Sequence, residues 1–335
     1  MTTPLRLAVI GMEHGHVEGV LDAARRRADL EIVGVWEPDH PLFDRLAARY
    51  GLPPQLRHED LEELLQVTAP EAASVMTAVS RHVTVAEVCA PRGVHMLFEK
   101  PLAFSVPDAA AIARLSRLHD VHALTNFETS WYTSVREAQR RLASGAVGPL
   151  RRMVFRHGHK GPRELGCFPE FLRWLTDPAG NGAGAAVDFG CYGAVLATWL
   201  MGGQRPTSIV ASRARLKPDT YPLVDDDATI TLTYPGSTAV LQASWAWTHD
   251  NKEMDLYAEG GSLHAGKWND LWIRRENGPR RRLRPAPPPP HLPDEWTYLR
   301  QVCRGRCPVD PLSGLEANTI VAEILEAACS TPVVG

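Results

Sequence analysis

The chain has 335 residues, 44% of them hydrophobic, and a formal net charge of −3. That length allows two domains, since single cores stop growing at roughly 250 to 300 residues, and its longest apolar runs fall short of the roughly 18 residues a membrane-spanning helix needs. The charge balance gives no general attraction to nucleic acid or to an anionic membrane surface.

From the N-terminus, residues 5–10 have a strand pattern, 11–16 form the loop Gly11-Met12-Glu13-His14-Gly15-His16, and 17–27 are helix-like. A second apolar run, 31–36, ends at Glu37-Pro38-Asp39 and completes a βαβ unit. Helices over 41–50 and 59–66 lead to a strand at 73–77 and a helix at 84–90. Then come an apolar run at 94–98 closed by Glu99-Lys100-Pro101, a helix at 107–118 and a strand at 121–127. Strands alternating with helices in this way predict a doubly wound parallel sheet, a Rossmann domain over residues 1–125. Residues 126–335 read as an α+β domain on a large, mostly antiparallel open sheet. A helix at 135–144 is followed by strands at 150–156, 207–213, 228–234, 238–247, 253–259 and 262–265, whose short connections favour antiparallel pairing. One helix, 191–201, interrupts them, and a last one, 315–328, is able to pack back on the first domain. The basic run 280–284 is a solvated hairpin face and the proline-rich 285–293 an extended surface loop.

Six cysteines, Cys89, Cys167, Cys191, Cys303, Cys307 and Cys329, lack metal-ligand or dense disulfide spacing. The N-terminal residues run into a strand without an export-signal pattern. Reduced thiols and a cytoplasmic location are expected.

Gly11 stands where a GxGxxG loop begins, but Glu13 and His16 replace the second and third glycines. Those glycines let the backbone approach a pyrophosphate and the helix pack on the strand. The loop still follows a strand and opens a helix whose first amides can hold a phosphate, with Gly11, Met12, Glu13 and His14 lining it. Glu37, ending the second strand, is placed to accept hydrogen bonds from ribose hydroxyls and to repel a 2′-phosphate, which favours NAD over NADP. An exposed turn acid before a proline is its plainer alternative. Lys100 ends a parallel strand, where open α/β sheets bind ligands; the alternative is a solvated lysine held extended by Pro101.

His14 with His16, or His157 with His159, could ligate a metal, but no further ligands follow at a recognisable spacing, so no metal is expected. The stretch 156–163 is dense in cations and donors and suits a polyhydroxylated or acidic ligand. His157, His159 and Lys160 are its substrate-binding candidates, against a solvated basic loop. Trp174, Trp245 and Trp247 offer flat faces for sugar rings, the last two on one face of the strand 238–247, although tryptophans are more often core.

The succession of Val9-Ile10-Gly11, an acid after the second strand, Thr77 with His82, Glu99-Lys100-Pro101 and Asp188-Phe189-Gly190-Cys191-Tyr192 resembles the Gfo/Idh/MocA oxidoreductases over nearly the whole chain. Pro308-Val309-Asp310 and the helix after it also suit that family. The resemblance implies an N-terminal NAD-binding domain and a C-terminal open sheet, with substrate residues on one face and an interface of a homo-oligomer, dimer or tetramer, on the other. It places Lys100 between nicotinamide and substrate, hydrogen-bonded to the reacting hydroxyl, with Asp188 binding or orienting the same region. Tyr192 stands in place of the histidine of many members, as in the subgroup related to glucose-fructose oxidoreductase and dihydrodiol dehydrogenase. Thr77, Ala78, Glu99 and Asn126 fall to the cofactor groove. His82 is placed there too, although capping or packing the next helix is its plainer reading. An Arg-Phe-like pair common after the fifth strand is replaced by Ser130-Trp131.

Asp188 and Tyr192, four residues apart at a helix start, share a face. A phenol beside a lysine cation loses its proton more easily, which suits Tyr192 as the acid/base. The implied activity is hydride transfer between nicotinamide and a secondary alcohol or ketone of a sugar, inositol or related polyol. The alternatives are a glycoside-cleaving enzyme that uses NAD transiently and a non-catalytic dinucleotide-sensing regulator.

Overall fold

Side-chain caps and buried apolar runs set the first half of the structure, a computed structural model that describes residues 3–335. Its elements are β1 (Leu5–Ile10), α1 (Val17–Arg26), β2 (Leu30–Trp36), α2 (His40–Tyr50), β3 (Arg57–His58), α3 (Leu61–Thr68), β4 (Ala72–Val75), α4 (His82–Cys89), β5 (His95–Glu99), α5 (Val106–Leu118) and β6 (Ala123–Asn126). Asp39, Asp60 and Ser105 each accept a hydrogen bond from a first-turn amide and so start α2, α3 and α5. β4 and β5 are buried on both faces, so they read as continuous apolar runs rather than alternating ones. The six strands pair in parallel in the order β3-β2-β1-β4-β5-β6, which is the dinucleotide-binding order, with its crevice over the carboxyl ends where the order reverses.

The second half is built from α6 (Thr133–Ala143), β7 (Leu150–Gly158), α7 (Pro169–Leu175), α8 (Pro178–Asn181), α9 (Ala185–Asp188), α10 (Gly190–Leu200), β8 (Ser208–Ala214), β9 (Asp227–Tyr234), β10 (Ser237–Ser244), β11 (Asn251–Ala258), β12 (Gly261–Ala265), β13 (Leu271–Arg274), β14 (Arg281–Leu283), α11 (Glu295–Cys303), α12 (Leu315–Cys329) and β15 (Val333–Val334). The nine strands form one sheet, β14-β13-β12-β11-β7-β10-β9-β8-β15. β7 pairs in parallel with β10, as β8 does with β15, and the other pairs are antiparallel. Strict alternation turns Met153, Phe155, Leu232, Leu241, Met254 and Leu256 into a core with α10 and α12, and leaves the other face half-exposed.

Two expectations about this half are corrected. Helices are more numerous, because α7, α8 and α9 are too short to show a period and the prolines before α11 masked its start. β10 stops at Ser244, so Trp245 and Trp247 do not share a strand face: Trp245 is fully buried and Trp247 half-buried. The segment 284–293 is irregular and mostly exposed, and Arg281–Leu283 pairs with β13 as an exposed hairpin arm. The chain then returns: Leu292, Trp296, Leu299 and Val302 join Leu5, Leu7 and Phe43 in the core of the first sheet. Ala322 of α12 packs on Ala103 and Ala109.

One buried ion pair fixes the approach to the site. The Asp225 carboxylate accepts from Gly184 N (3.2 Å), Ala186 N (2.7 Å) and Arg213 Nη2 (2.6 Å), while Arg213 Nη1 donates to the carbonyls of Cys329 and Thr331. This clamps the start of α9, and α9 delivers Asp188. Gly184 is required there, since a Cβ would lie 1.8 Å from the Asp225 carbonyl oxygen.

Candidate active site

β5 carries Lys100 to the carboxyl edge of the first sheet, and the α9–α10 junction brings Asp188 and Tyr192 to meet it. Lys100 Nζ donates to the Asp188 carbonyl (3.0 Å) and to Asp188 Oδ1, and Trp245 Nε1 donates to Asp188 Oδ2 (2.8 Å). Lys100 is 7% and Asp188 6% exposed. Burial alone would push both toward their neutral forms; their mutual attraction and hydrogen bonds outweigh it, raising Lys100 and holding Asp188 at about 2. Lys100 is therefore a cation and Asp188 an anion throughout the neutral range.

Tyr192 is buried between Phe127, Phe189 and His157, with ring centroids 5.6, 6.1 and 5.5 Å away. Lys100 Nζ lies 5.3 Å from its ring centroid. Its phenol does not become more acidic, as the sequence suggested. Burial and the nearby carboxylates, Glu128 first, raise it well above 10.0, and Asp188 already compensates the Lys100 charge on which the expectation rested.

A cavity of about 370 Å³ opens on this cluster, lined by His14, His16, Lys100, His159, Asp188, Tyr192 and Lys252 on its polar side. Leu165, Phe168, Phe171 and Leu175 form its apolar side. A second cavity, also about 370 Å³, adjoins it across His16 and includes Met76, Glu99, Asn126, Glu128, Trp131, Trp268 and Trp296.

At the crevice, Gly11 has φ +77° and a Cβ there would come within 2.7 Å of Thr77 Cγ2, so only glycine allows this loop to lie against β4. The Glu37 carboxylate, 4% exposed, accepts from Met12 N (2.6 Å) and Asp39 N (2.8 Å). Burial pushes it up to about 7. Glu13 accepts from Ala78 N (2.8 Å) and has Arg81 Nη1 at 3.4 Å, so the cation beside it offsets the charge introduced where a glycine usually stands. α1 opens at His16 without a side-chain cap. An acid at the end of β2, an uncapped helix start and a cleft running to Glu99 and Asn126 fit a dinucleotide.

Glu99 Oε2 pairs with His16 Nδ1 (3.0 Å) and Oε1 accepts from Asn126 Nδ2 (3.1 Å). Glu99 also supplies the third donor that the sequence spacing did not reveal beside His14 and His16, with the three candidate ligand atoms within 4.8 Å of one another. They are engaged with protein: His14 Nδ1 accepts the His16 amide (3.1 Å), which leaves the proton of the neutral His14 ring on Nε2.

Several expected residues lie elsewhere. His82 is 1% exposed, bonds through Nδ1 to the Leu102 carbonyl (3.0 Å) and packs on Phe98; burial pulls it down to about 4, and it lines neither cavity. His157 sits one layer behind Tyr192, lowered to about 3 by burial and then by Lys252. Lys160 is exposed, and only its carbonyl is engaged, by Lys217 Nζ (2.7 Å). Trp174 packs on His14, and Trp245 holds Asp188 from behind. His159 does line the cavity, edge-on to Phe189. Lys252, Glu128 and Trp268 were missed. Lys252 had a signal: it is in phase with Met254 and Leu256, a cation on the core face of a strand. Trp268 has φ +53°, is 57% exposed and overhangs the second cavity; its carbonyl accepts from Ser134 N (2.9 Å) and Thr133 Oγ1 (3.1 Å).

A classic-order dinucleotide sheet, an open sheet beside it and a buried Lys–Asp pair next to a tyrosine at their junction define a nicotinamide-dependent oxidoreductase. Residues 5–127 match the model of the oxidoreductase family with an NAD-binding Rossmann fold, and residues 135–264 that of the GFO/IDH/MocA C-terminal domain. The chain belongs to the Gfo/Idh/MocA family, and its first sheet is an NAD-binding domain. Among similar proteins, mouse trans-1,2-dihydrobenzene-1,2-diol dehydrogenase is 22% identical over 313 residues, covering 89% of this chain and 87% of the mouse protein. Aldose-aldose oxidoreductase from Caulobacter crescentus, solved with glycerol, superimposes with a TM-score of 0.79 at 20% identity over 97% of this chain and 96% of that one. An oxidoreductase from Agrobacterium radiobacter, solved with NAD+, L-tartaric acid and magnesium, gives 0.79 at 20% identity over 97% and 95%.

Proposed function

We propose that this chain is an NAD-dependent dehydrogenase or reductase acting on a secondary alcohol or ketone of a sugar, inositol or related polyol. The observation that carries this is the Lys100–Asp188 pair beside Tyr192 in a cavity that adjoins the second one across His16. Relatives named for a diol and for aldoses support the substrate class. Bound NAD supplies the hydride acceptor or donor. Glu37 would hold the adenosine ribose, the uncapped start of α1 with Arg81 the pyrophosphate, and Glu99 with Asn126 the nicotinamide end. A 2′-phosphate would meet the Glu37 carboxylate, so NAD is preferred over NADP.

Lys100 has three N–H donors, and Asp188 takes two of them, one through its carbonyl and one through its carboxylate. The third is free for a substrate oxygen, where a fixed cation stabilises developing alkoxide charge. Tyr192 rests as a neutral phenol, ready to give a proton to a carbonyl oxygen; accepting one from a carbinol first requires its costly ionisation. Proton chemistry therefore runs more readily toward reduction near neutral pH. Leu165, Phe168, Phe171 and Leu175 give that cavity an apolar wall.

The test is nicotinamide absorbance with a panel of polyols and NAD+, and of the matching ketones and NADH. Turnover with NADP alone, or with no member of the panel, defeats the reading. Sugar release without net NADH would move it to transient-oxidation glycoside cleavage, and tight NAD binding without turnover to a sensor. The half-exposed outer face of the second sheet, including Val154, Thr231, Val240 and Tyr257, supports a homo-oligomer, a dimer or tetramer, and sedimentation at the monomer mass would exclude it. Six free cysteines support a reducing, cytoplasmic setting.

A further inference from the structure

We propose that Lys252 determines specificity by holding a second substrate oxygen on the carbon next to the reacting one, so that the site takes substrates with adjacent oxygens. The inference rests on the dehydrogenase reading. Lys252 lies on β11, directly opposite His157 of β7 in the antiparallel ladder, and lines the same cavity as Lys100 and Asp188. Its ammonium is 5.7 Å from the Tyr192 ring centroid and 5.9 Å from that of Phe189; for Lys100 the distances to the same two rings are 5.3 and 5.9 Å. Two cations thus lie within 5.9 Å of the same pair of ring centroids, one of them that of the proposed proton donor.

A lysine on the core face of a strand is costly unless partnered. Glu128 Oε2 provides a partner at 2.8 Å, with Asp250 Oδ1 farther off at 3.6 Å. Glu128 engages one donor closely, so Lys252 still has hydrogen-bonding capacity toward the cavity. With Lys100 and Tyr192 on the reacting oxygen, Lys252 is the nearby cation left for its neighbour, whether that is a hydroxyl or a carboxylate oxygen.

The experiment compares wild type and Lys252→Met on the best diol of the panel, on its deoxy analogue lacking the neighbouring hydroxyl, and on tartrate. A lost charge-assisted hydrogen bond should raise KM for the diol roughly ten- to hundredfold with a smaller change in kcat. KM for the deoxy analogue should barely move, so the preference for the diol collapses. A larger loss on tartrate assigns the contact to a carboxylate, a larger loss on the diol to a hydroxyl. Lys252→Gln, read by the same ratio, serves if the methionine variant does not fold, and Lys252→Arg should restore part of the preference. Equal losses on diol and deoxy analogue, or an unchanged preference, overturn the role of Lys252 while leaving the dehydrogenase intact. A wild type inactive on every alcohol and ketone removes both.

Discussion

Replacing Asp188 by Asn leaves the shape of the site but strands the Lys100 ammonium at 7% exposure. The amide keeps one acceptor oxygen, for either Lys100 Nζ or Trp245 Nε1, and turns an NH2 donor toward the other, so the change removes the charge and one of the two hydrogen bonds. Breaking a buried pair by removing one partner costs about 3 to 5 kcal/mol, which for a chain of 335 residues lowers the unfolding midpoint by roughly 4 to 7 °C. The deficit should depend on pH. Without its carboxylate partner, Lys100 falls below its ordinary 10.5 because burial now dominates. A base with a lowered folded pKa destabilises most while it is held charged, and stability recovers as pH rises through the window between the folded and unfolded values. Thermal melts from pH 6 to 10 should therefore show Asp188→Asn closing on wild type toward the alkaline end. Lys100→Met should show the mirror image, with a smaller deficit near pH 4, where the stranded Asp188 can take a proton, than at pH 8. The double variant, with no charge left to bury, should be more stable than either single one. Deficits independent of pH, or a double variant no better than Asp188→Asn, would refute the claim that the pair is held by mutual neutralisation.

Other outcomes follow from the same geometry. Lys100→Met should keep NAD affinity, read by fluorescence or thermal shift, yet lose most of kcat; unchanged turnover removes Lys100 from the chemistry. Tyr192→Phe should lower the rate of carbonyl reduction by about a hundred- to ten-thousandfold, and the wild-type reductive rate should show no alkaline fall assignable to this phenol below pH 10, because burial lifts it above that value. Glu37, an acid raised to about 7 by burial, binds its proton more tightly folded than unfolded, so its contribution to stability falls as pH rises from 4.5 to 7, by on the order of 3 kcal/mol. Glu37→Gln should flatten that slope in melts of the free enzyme and narrow the preference for NAD over NADP. In Gly184→Ala a methyl would meet the Asp225 carbonyl oxygen, so the start of α9 must shift and kcat should fall more than NAD affinity.

The alternation of β1 to β6 was legible because each strand is a short apolar run with helix signals around it, whereas Lys100, Asp188 and Tyr192 were singled out through the family resemblance of Glu99-Lys100-Pro101 and the Asp-x-x-x-Tyr stretch, and the fold brings the three side chains together. What escaped depends on packing between distant segments. The ring of His157 follows the inward phase of β7 behind Met153 and Phe155, yet the cations around it in sequence pointed to a surface loop. His82 adjoins the crevice in sequence, but its ring turns away onto Phe98. The acidity of Tyr192 was misjudged because the compensating Asp188 charge and the desolvation of the phenol exist only after folding. α11 could have been found: Asp294 caps it by accepting from Thr297 N (2.8 Å), and Trp296, Leu299 and Val302 recur on one face, but the prolines before it masked the start.

The return of α11 to the first sheet makes the chain topologically closed. Leu5 and Leu7, from its first strand, share a core with Trp296 and Leu299, nearly three hundred residues later. A fragment cut after β6 would expose that seam to water, so excising the nucleotide-binding half at the boundary its sequence pattern suggests should lower its stability. Any chimera that exchanges substrate halves has to carry α11 with the cofactor half, and synthesis must reach residue 303 before the first sheet can complete its core.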